Sequence, residues 1–125
     1  MMQGFVNQRC EAIIPIAVGS NNSKKQIVET LIDTGFTGFL SLPTSTIAAL
    51  GLPWQFRDLG TLGDGSDAIF DMYKATVIWD GKYQIIDVAA SEADPLIGMG
   101  LLYGFRVQIE AVEGGNVTIE ALKSN

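Results

Sequence analysis

Apolar runs of strand length recur along the chain, each closed by a cluster of small or polar residues. Residues 4 to 9 predict a first short strand and Ala12 to Val18 a firmer one, in which Pro15, lacking an N–H, marks an edge position or a local irregularity. The turn signal GSNNSKK, Gly19 to Lys25, sends Gln26 to Ile32 back antiparallel. Phe39 to Leu42 re-enters the sheet, and Pro43 opens a helix over Thr44 to Leu50 that pairs Ile47 with Leu50 on one face and stops at Gly51. Trp54 to Leu62 and Ala68 to Trp79 read as two arms of a hairpin whose tip is Gly63-Asp64-Gly65-Ser66. Asp80-Gly81 turns the chain into Tyr83 to Ala89, and Ser91 to Asp94 is a polar break. Leu96-Ile97-Gly98 then leads into a short helix over Gly98 to Tyr103. Strands over Phe105 to Glu110 and Val117 to Leu122, joined by a turn at Glu113 to Asn116, complete the pattern, with Ser124 and Asn125 expected to fray. The prediction is an all-β domain with one or two short helices.

The 125 residues suffice for one domain with a modest core, here taken as the whole of 1–125, and are too few for two ordinary lobes. A hydrophobic fraction of 47% against 18% charged residues excludes a disordered polyelectrolyte. The net charge of -6, with no cluster of Lys and Arg, removes the general phosphate-binding term and argues against nucleic acid as a partner. There is no His, and Cys10 is alone, so zinc sites, His-dependent nucleophilic triads and a disulfide framework all lose support, and no metal or other cofactor is expected. The start MMQGFVNQRCEAIIPIAV lacks a basic segment followed by a long apolar run, so neither a secretory peptide nor a membrane span is expected and the default location is cytoplasmic.

Chemistry concentrates in Gln26 to Pro43, QIVETLIDTGFTGFLSLP, where an apolar strand runs into an acid and then a small-residue turn. Asp33 is held by a scaffold there rather than on a surface loop, while Gly35 and Gly38 permit close backbone approach. A second stretch, YQIIDVAASEADPLIGMG, echoes QIVETLIDTGFTG, each running from a polar residue through an apolar strand into a glycine. Asp64 and Asp67 suit a solvated hairpin tip, and Asp94 a strand end before Pro95. A pair among Asp58, Asp71 and Glu29 has the residue type for glycosidase-like acid/base work, but nothing local singles one out. Cys10, Trp54, Phe56, Phe70 and Trp79 read as packing residues.

Asp33-Thr34-Gly35 resembles the catalytic triplet of aspartic proteases. The surrounding DTGFTGFLSLP and the later PLIGMGLL, Pro95 to Leu102, are similar to the small retropepsin-like proteases of bacteria and retroviruses, over roughly residues 12 to 122. The resemblance implies a closed acid-protease β-barrel with a flap hairpin and a homodimer in which each subunit supplies one catalytic aspartate, here Asp33. It implies an aspartic endopeptidase acting on a peptide or protein. Thr34 and Gly35 would support the loop across the dimer axis, Leu96, Ile97 and Gly98 would pack behind it, and Leu62, Gly63, Asp64, Gly65 and Ser66 would form the flap over substrate. Phe36 is placed either in a substrate pocket or in the core, and Phe39 in the core. Thr37 and Gly98-Met99-Gly100 stand where retroviral enzymes carry an acid and a Gly-Arg segment, so that ion pair does not carry over. The competing reading is a catalytically inactive interaction module that keeps the barrel.

Overall fold

The computed structural model describes residues 1–21 and 23–123. The strands are β1 (Met2–Val6), β2 (Ala12–Gly19), β3 (Gln26–Ile32), β4 (Leu40–Leu42), β5 (Trp54–Thr61), β6 (Asp67–Trp79), β7 (Lys82–Ala90), β8 (Leu96–Ile97), β9 (Phe105–Ile109) and β10 (Asn116–Ala121), with helices α1 (Thr44–Leu50) and α2 (Met99–Leu102). They form one sheet in the order β5-β6-β7-β4-β8-β3-β2-β1-β10-β9, and a further pairing of β6 with β2 closes the six strands from β6 to β2 into a barrel. β5 projects from one side of this ring as half of a long hairpin, while β1, β10 and β9 extend it on the other. Among the described residues no helix is long and apolar enough to cross a membrane.

Alternation decides the inside of the barrel. Ile14, Ile16 and Val18 on β2, Ala75, Val77 and Trp79 on β6, and Ile86 and Val88 on β7 are all buried in one cluster. α1 closes an end by burying Ile47 and Leu50 as its sequence spacing predicts, and it stops where the Gly51 N–H bonds back to the Ala48 carbonyl. Thr30 is the one fully buried polar residue of β3. Its hydroxyl donates to the Ile14 carbonyl at 2.7 Å, which satisfies both groups inside the cluster.

Local chemistry explains where strands begin and turn. Asp80 and Gly81 both have positive φ, 53° and 76°, the conformation that a two-residue turn matched to strand twist demands and that Asp-Gly adopts at low cost. β1 runs from Met2 to Val6 rather than over 4 to 9. The physical reason is Asn7, whose side-chain oxygen accepts the backbone N–H groups of Arg9 and Glu11, replacing the strand ladder by a tight turn in which Cys10 sits exposed at φ 63°. Pro15 lies within β2 between the residues that pair with β1, Ala12 and Ile13, and those that pair with β6, Ala17 to Gly19. Its missing donor therefore falls where the strand changes neighbours, the irregularity expected of it. Ser124 and Asn125, expected to fray, lie outside the described residues.

The echo between the two motif-bearing stretches has a spatial counterpart. β3 runs parallel to β8, while β4, the continuation of β3, runs parallel to β7, which leads into β8. The two strand–loop–strand units thus exchange partners reciprocally, and β4 meets β8 antiparallel between them. This crossing puts the loop after β3 and the segment after β8 against each other at one end of the barrel.

Candidate active site

Asp33 follows directly on β3, and the parallel pairing with β8 fixes it. Its N–H donates to the Ile97 carbonyl at 3.0 Å, one step beyond the Leu31 N–H to Pro95 carbonyl bond. The chain then reverses, with the Phe36 N–H on the Asp33 carbonyl at 3.1 Å and the Gly35 N–H on Asp33 Oδ1 at 2.9 Å. One carboxylate oxygen is thereby pinned and the half-buried side chain is oriented by its own loop.

Behind the loop, the segment after β8 docks by backbone alone. The N–H groups of Gly98, Met99 and Gly100 donate to the carbonyls of Phe39, Phe36 and Gly38 at 3.1, 2.7 and 3.0 Å. Among the described residues no ion pair joins the two segments. A side chain at Gly98 would run into the carbonyl oxygens of both Gly38 and Phe36 and into the Phe36 ring. The same ring fills the space of an absent side chain at Gly38, 2.6 Å from where its Cβ would stand. Phe36 is thus seated between Gly98 and Gly38 outside the buried core cluster, and it borders the cavity described next. Phe39 borders that cavity too and packs against the core cluster.

In front of the loop is a cavity of about 680 Å³. Asp33, Gly35 and Phe36 form part of its floor, and the β5–β6 hairpin supplies Leu59, Leu62, Gly63 and Phe70. Of the five tip residues singled out from the sequence, Leu62 and Gly63 border the cavity. Asp64, Gly65 and Ser66 make the turn itself, closed by Asp64 Oδ1 accepting both the N–H and the hydroxyl of Ser66. Leu96 borders the cavity, whereas Ile97 and Gly98 are buried behind the loop and Thr34 is exposed beside it.

Several bordering residues were not assigned to the site from the sequence. Asp58, Phe70, Met72, Asp87 and Ala89 reach the cavity because they fall on one face of β5, β6 and β7. Their alternation is visible in the sequence, but which face turns inward depends on a register that shifts between Trp54 and Phe56. Asp87 is paired across the sheet with Lys74, Nζ to Oδ1 2.6 Å, so its charge on the cavity wall is compensated.

The base of the hairpin carries its own electrostatic tie. Asp71 on β6 accepts hydrogen bonds from the Trp54 indole at 3.1 Å and the Arg57 guanidinium at 3.0 Å, both on β5. The Trp54 bond first, and then the Arg57 bond, hold the Asp71 carboxyl below the usual aspartate range. Because the folded-state value is depressed, this tie is complete above the ordinary carboxylate range and is lost as the pH falls through the lowered value. The Trp54 indole N–H resonance should therefore move in acid with a midpoint below that of an unperturbed aspartate, and Asp71→Asn should remove that titration. A midpoint in the ordinary range would show that the tie is not formed in solution.

A closed barrel with reciprocally crossed strands, an Asp-Thr-Gly loop at the crossing and a hairpin over the loop defines the retropepsin-like fold. No protein-family model matches the sequence, and no curated protein matches it significantly. Among solved structures, the chain is similar to a retropepsin-like aspartic protease from Rickettsia conorii, with TM-score 0.61 and 20% identity over 98% of this chain and 91% of that one. It is also similar to EIAV protease complexed with the inhibitor HBY-793, with TM-score 0.55 and 17% identity over 74% of this chain and 85% of that one. At these identities the likeness defines the fold.

Proposed function

We propose that the chain is one half of an aspartic endopeptidase, completed by a second copy that brings its own Asp33 to the same cleft. The observation that carries this reading is the placement of Asp33. A carboxylate oriented by its own loop and anchored to β8 stands on the floor of a cavity with a hairpin above it. One carboxylate near neutral pH is ionised and is a poor catalyst of amide hydrolysis. Two in close contact oppose double ionisation, so the pair holds one proton between them. The charged member takes a proton from water as the water oxygen attacks the scissile carbonyl carbon, and the protonated member gives its proton to the carbonyl oxygen. The resulting gem-diol collapses as one of its hydroxyls returns a proton to the ionised aspartate, the C–N bond breaks, and the leaving amine takes up the proton held by the other aspartate. No covalent enzyme intermediate and no cofactor are involved, and the two apparent pKa values belong to the pair.

In this reading the β5–β6 hairpin is a flap that closes on peptide backbone and excludes water. Thr34 and Gly35, exposed beside Asp33, face their counterparts across the dimer axis. The test is a peptide-library digestion scanned from acidic to neutral pH. Cleavage in the acidic range that a statine-type peptide blocks is the expected result. Absence of cleavage for every peptide, with dimer present, would leave the barrel as an interaction module.

A further inference from the structure

The hairpin face turned toward Asp33 contains one unusual pair. Asp58 is directly opposite Phe70, and Gly60 opposite Ala68, so Phe70 lies diagonally across from Gly60 on the same face. Its ring covers that glycine. A Cβ built on Gly60 would stand 2.7 Å from Phe70 Cε2 and 3.1 Å from Cδ2, so the ring occupies the volume that any side chain at position 60 would need. Glycine within a strand leaves backbone open and a neighbouring aromatic ring can cover it, which fixes that ring against the strand. Phe70 is half-buried, and it borders the same cavity as Asp33.

We infer that Phe70, held on Gly60, is the roof that limits the size of the substrate side chain beneath the hairpin, so that this subsite takes a small or branched aliphatic side chain and disfavours an aromatic one. The inference rests on the proposed peptidase reading and names a selectivity within it. The neighbouring walls support it: Met72 and Phe36 are bulky and border the same cavity, while Ala89, opposite Met72 on β7, is the small residue that leaves room. The ring cannot retreat toward the hairpin, because Gly60 already receives it. Relief must come from removing the ring. Position 60 then controls the subsite indirectly, through where the ring sits, which makes Gly60 a positioning residue.

The discriminating experiment is a two-by-two set of proteins: wild type, Phe70→Ala, Gly60→Ala and the double variant. Each is assayed with peptides that differ only in the size of the residue on either side of the cleaved bond. Binding of non-cleavable statine peptides of the same series is measured in parallel by calorimetry. Phe70→Ala should shift preference toward the aromatic members by about tenfold or more, the range that one well-fitted apolar group commands. Gly60→Ala should weaken binding of every member in the wild-type background by displacing the ring, and should have little effect once the ring is gone. Unchanged size preference in Phe70→Ala, or equal harm from Gly60→Ala in both backgrounds, overturns the inference. If the size preference shifts in binding while no protein cleaves any peptide, the roof stands and the peptidase reading falls. Cleavage with an unaltered preference sinks the roof alone, and failure of every peptide to bind wild type overturns both.

Discussion

If the proposed peptidase reading holds, replacing Asp33 by Asn should remove peptide cleavage, a loss of about 10³-fold or more in kcat, and should leave the barrel as stable as before. The two halves of that result have separate causes. An Asn amide oxygen still accepts the Gly35 N–H, and the backbone N–H at position 33 still reaches the Ile97 carbonyl, so the contacts that shape the loop survive. A substitution that keeps such contacts falls within about 0.5 kcal/mol of neutral. What the amide cannot do is exchange a proton with water or with the scissile carbonyl, and a dyad with one amide on each side holds no shared proton. Thermal unfolding measured beside steady-state kinetics separates the effects. Activity near the wild-type level in Asp33→Asn would remove the aspartate from the chemistry.

Gly98→Ala has the opposite profile, a change that strikes structure first. The added methyl would overlap the carbonyl oxygens of Gly38 and Phe36 and press on the Phe36 ring, and the two oxygens belong to backbone that cannot rotate away. The segments must separate, loosening the bonds from Gly98, Met99 and Gly100 to the 36–39 stretch. Overpacking of this kind costs about 3 kcal/mol. For a chain of this length the midpoint of thermal unfolding should fall by about 10 °C. Catalysis should suffer beyond what lost folded protein explains, because the stretch being displaced begins at the Asp33 turn. Ala in place of the exposed Gly63, where a side chain meets open space, is the matching control and should leave stability nearly unchanged.

Much of the fold was legible because most strands carry their own signal. QIVETLI and the run ending at Trp79 became β3 and β6 near the expected bounds, and Asp80-Gly81 became a two-residue turn with both φ values positive. The first strand was misplaced because one side chain, Asn7, competes with the ladder, and residue-type preference does not reveal such a competition. Ring closure was legible only through the family resemblance, and local pattern could not show it for another reason. β8 has two residues and β4 three, and the β2–β6 pairing joins residues far apart in sequence, so their partners follow from packing rather than from local pattern. The site divides in the same way. Asp33, Gly35 and Leu96 sit in motifs that resemblance picks out, whereas Phe70 and Met72 belong to the cavity only through the register of the hairpin.

In the proposed enzyme Asp33 works only beside a second Asp33, and mixing wild type with Asp33→Asn examines that dependence directly. With a ninefold excess of the variant and full exchange of subunits, activity per wild-type chain should fall to about a tenth, because nearly all wild-type chains then have an inactive partner. Activity that stays constant as the variant is added would place the whole reaction within a single chain and contradict the shared dyad.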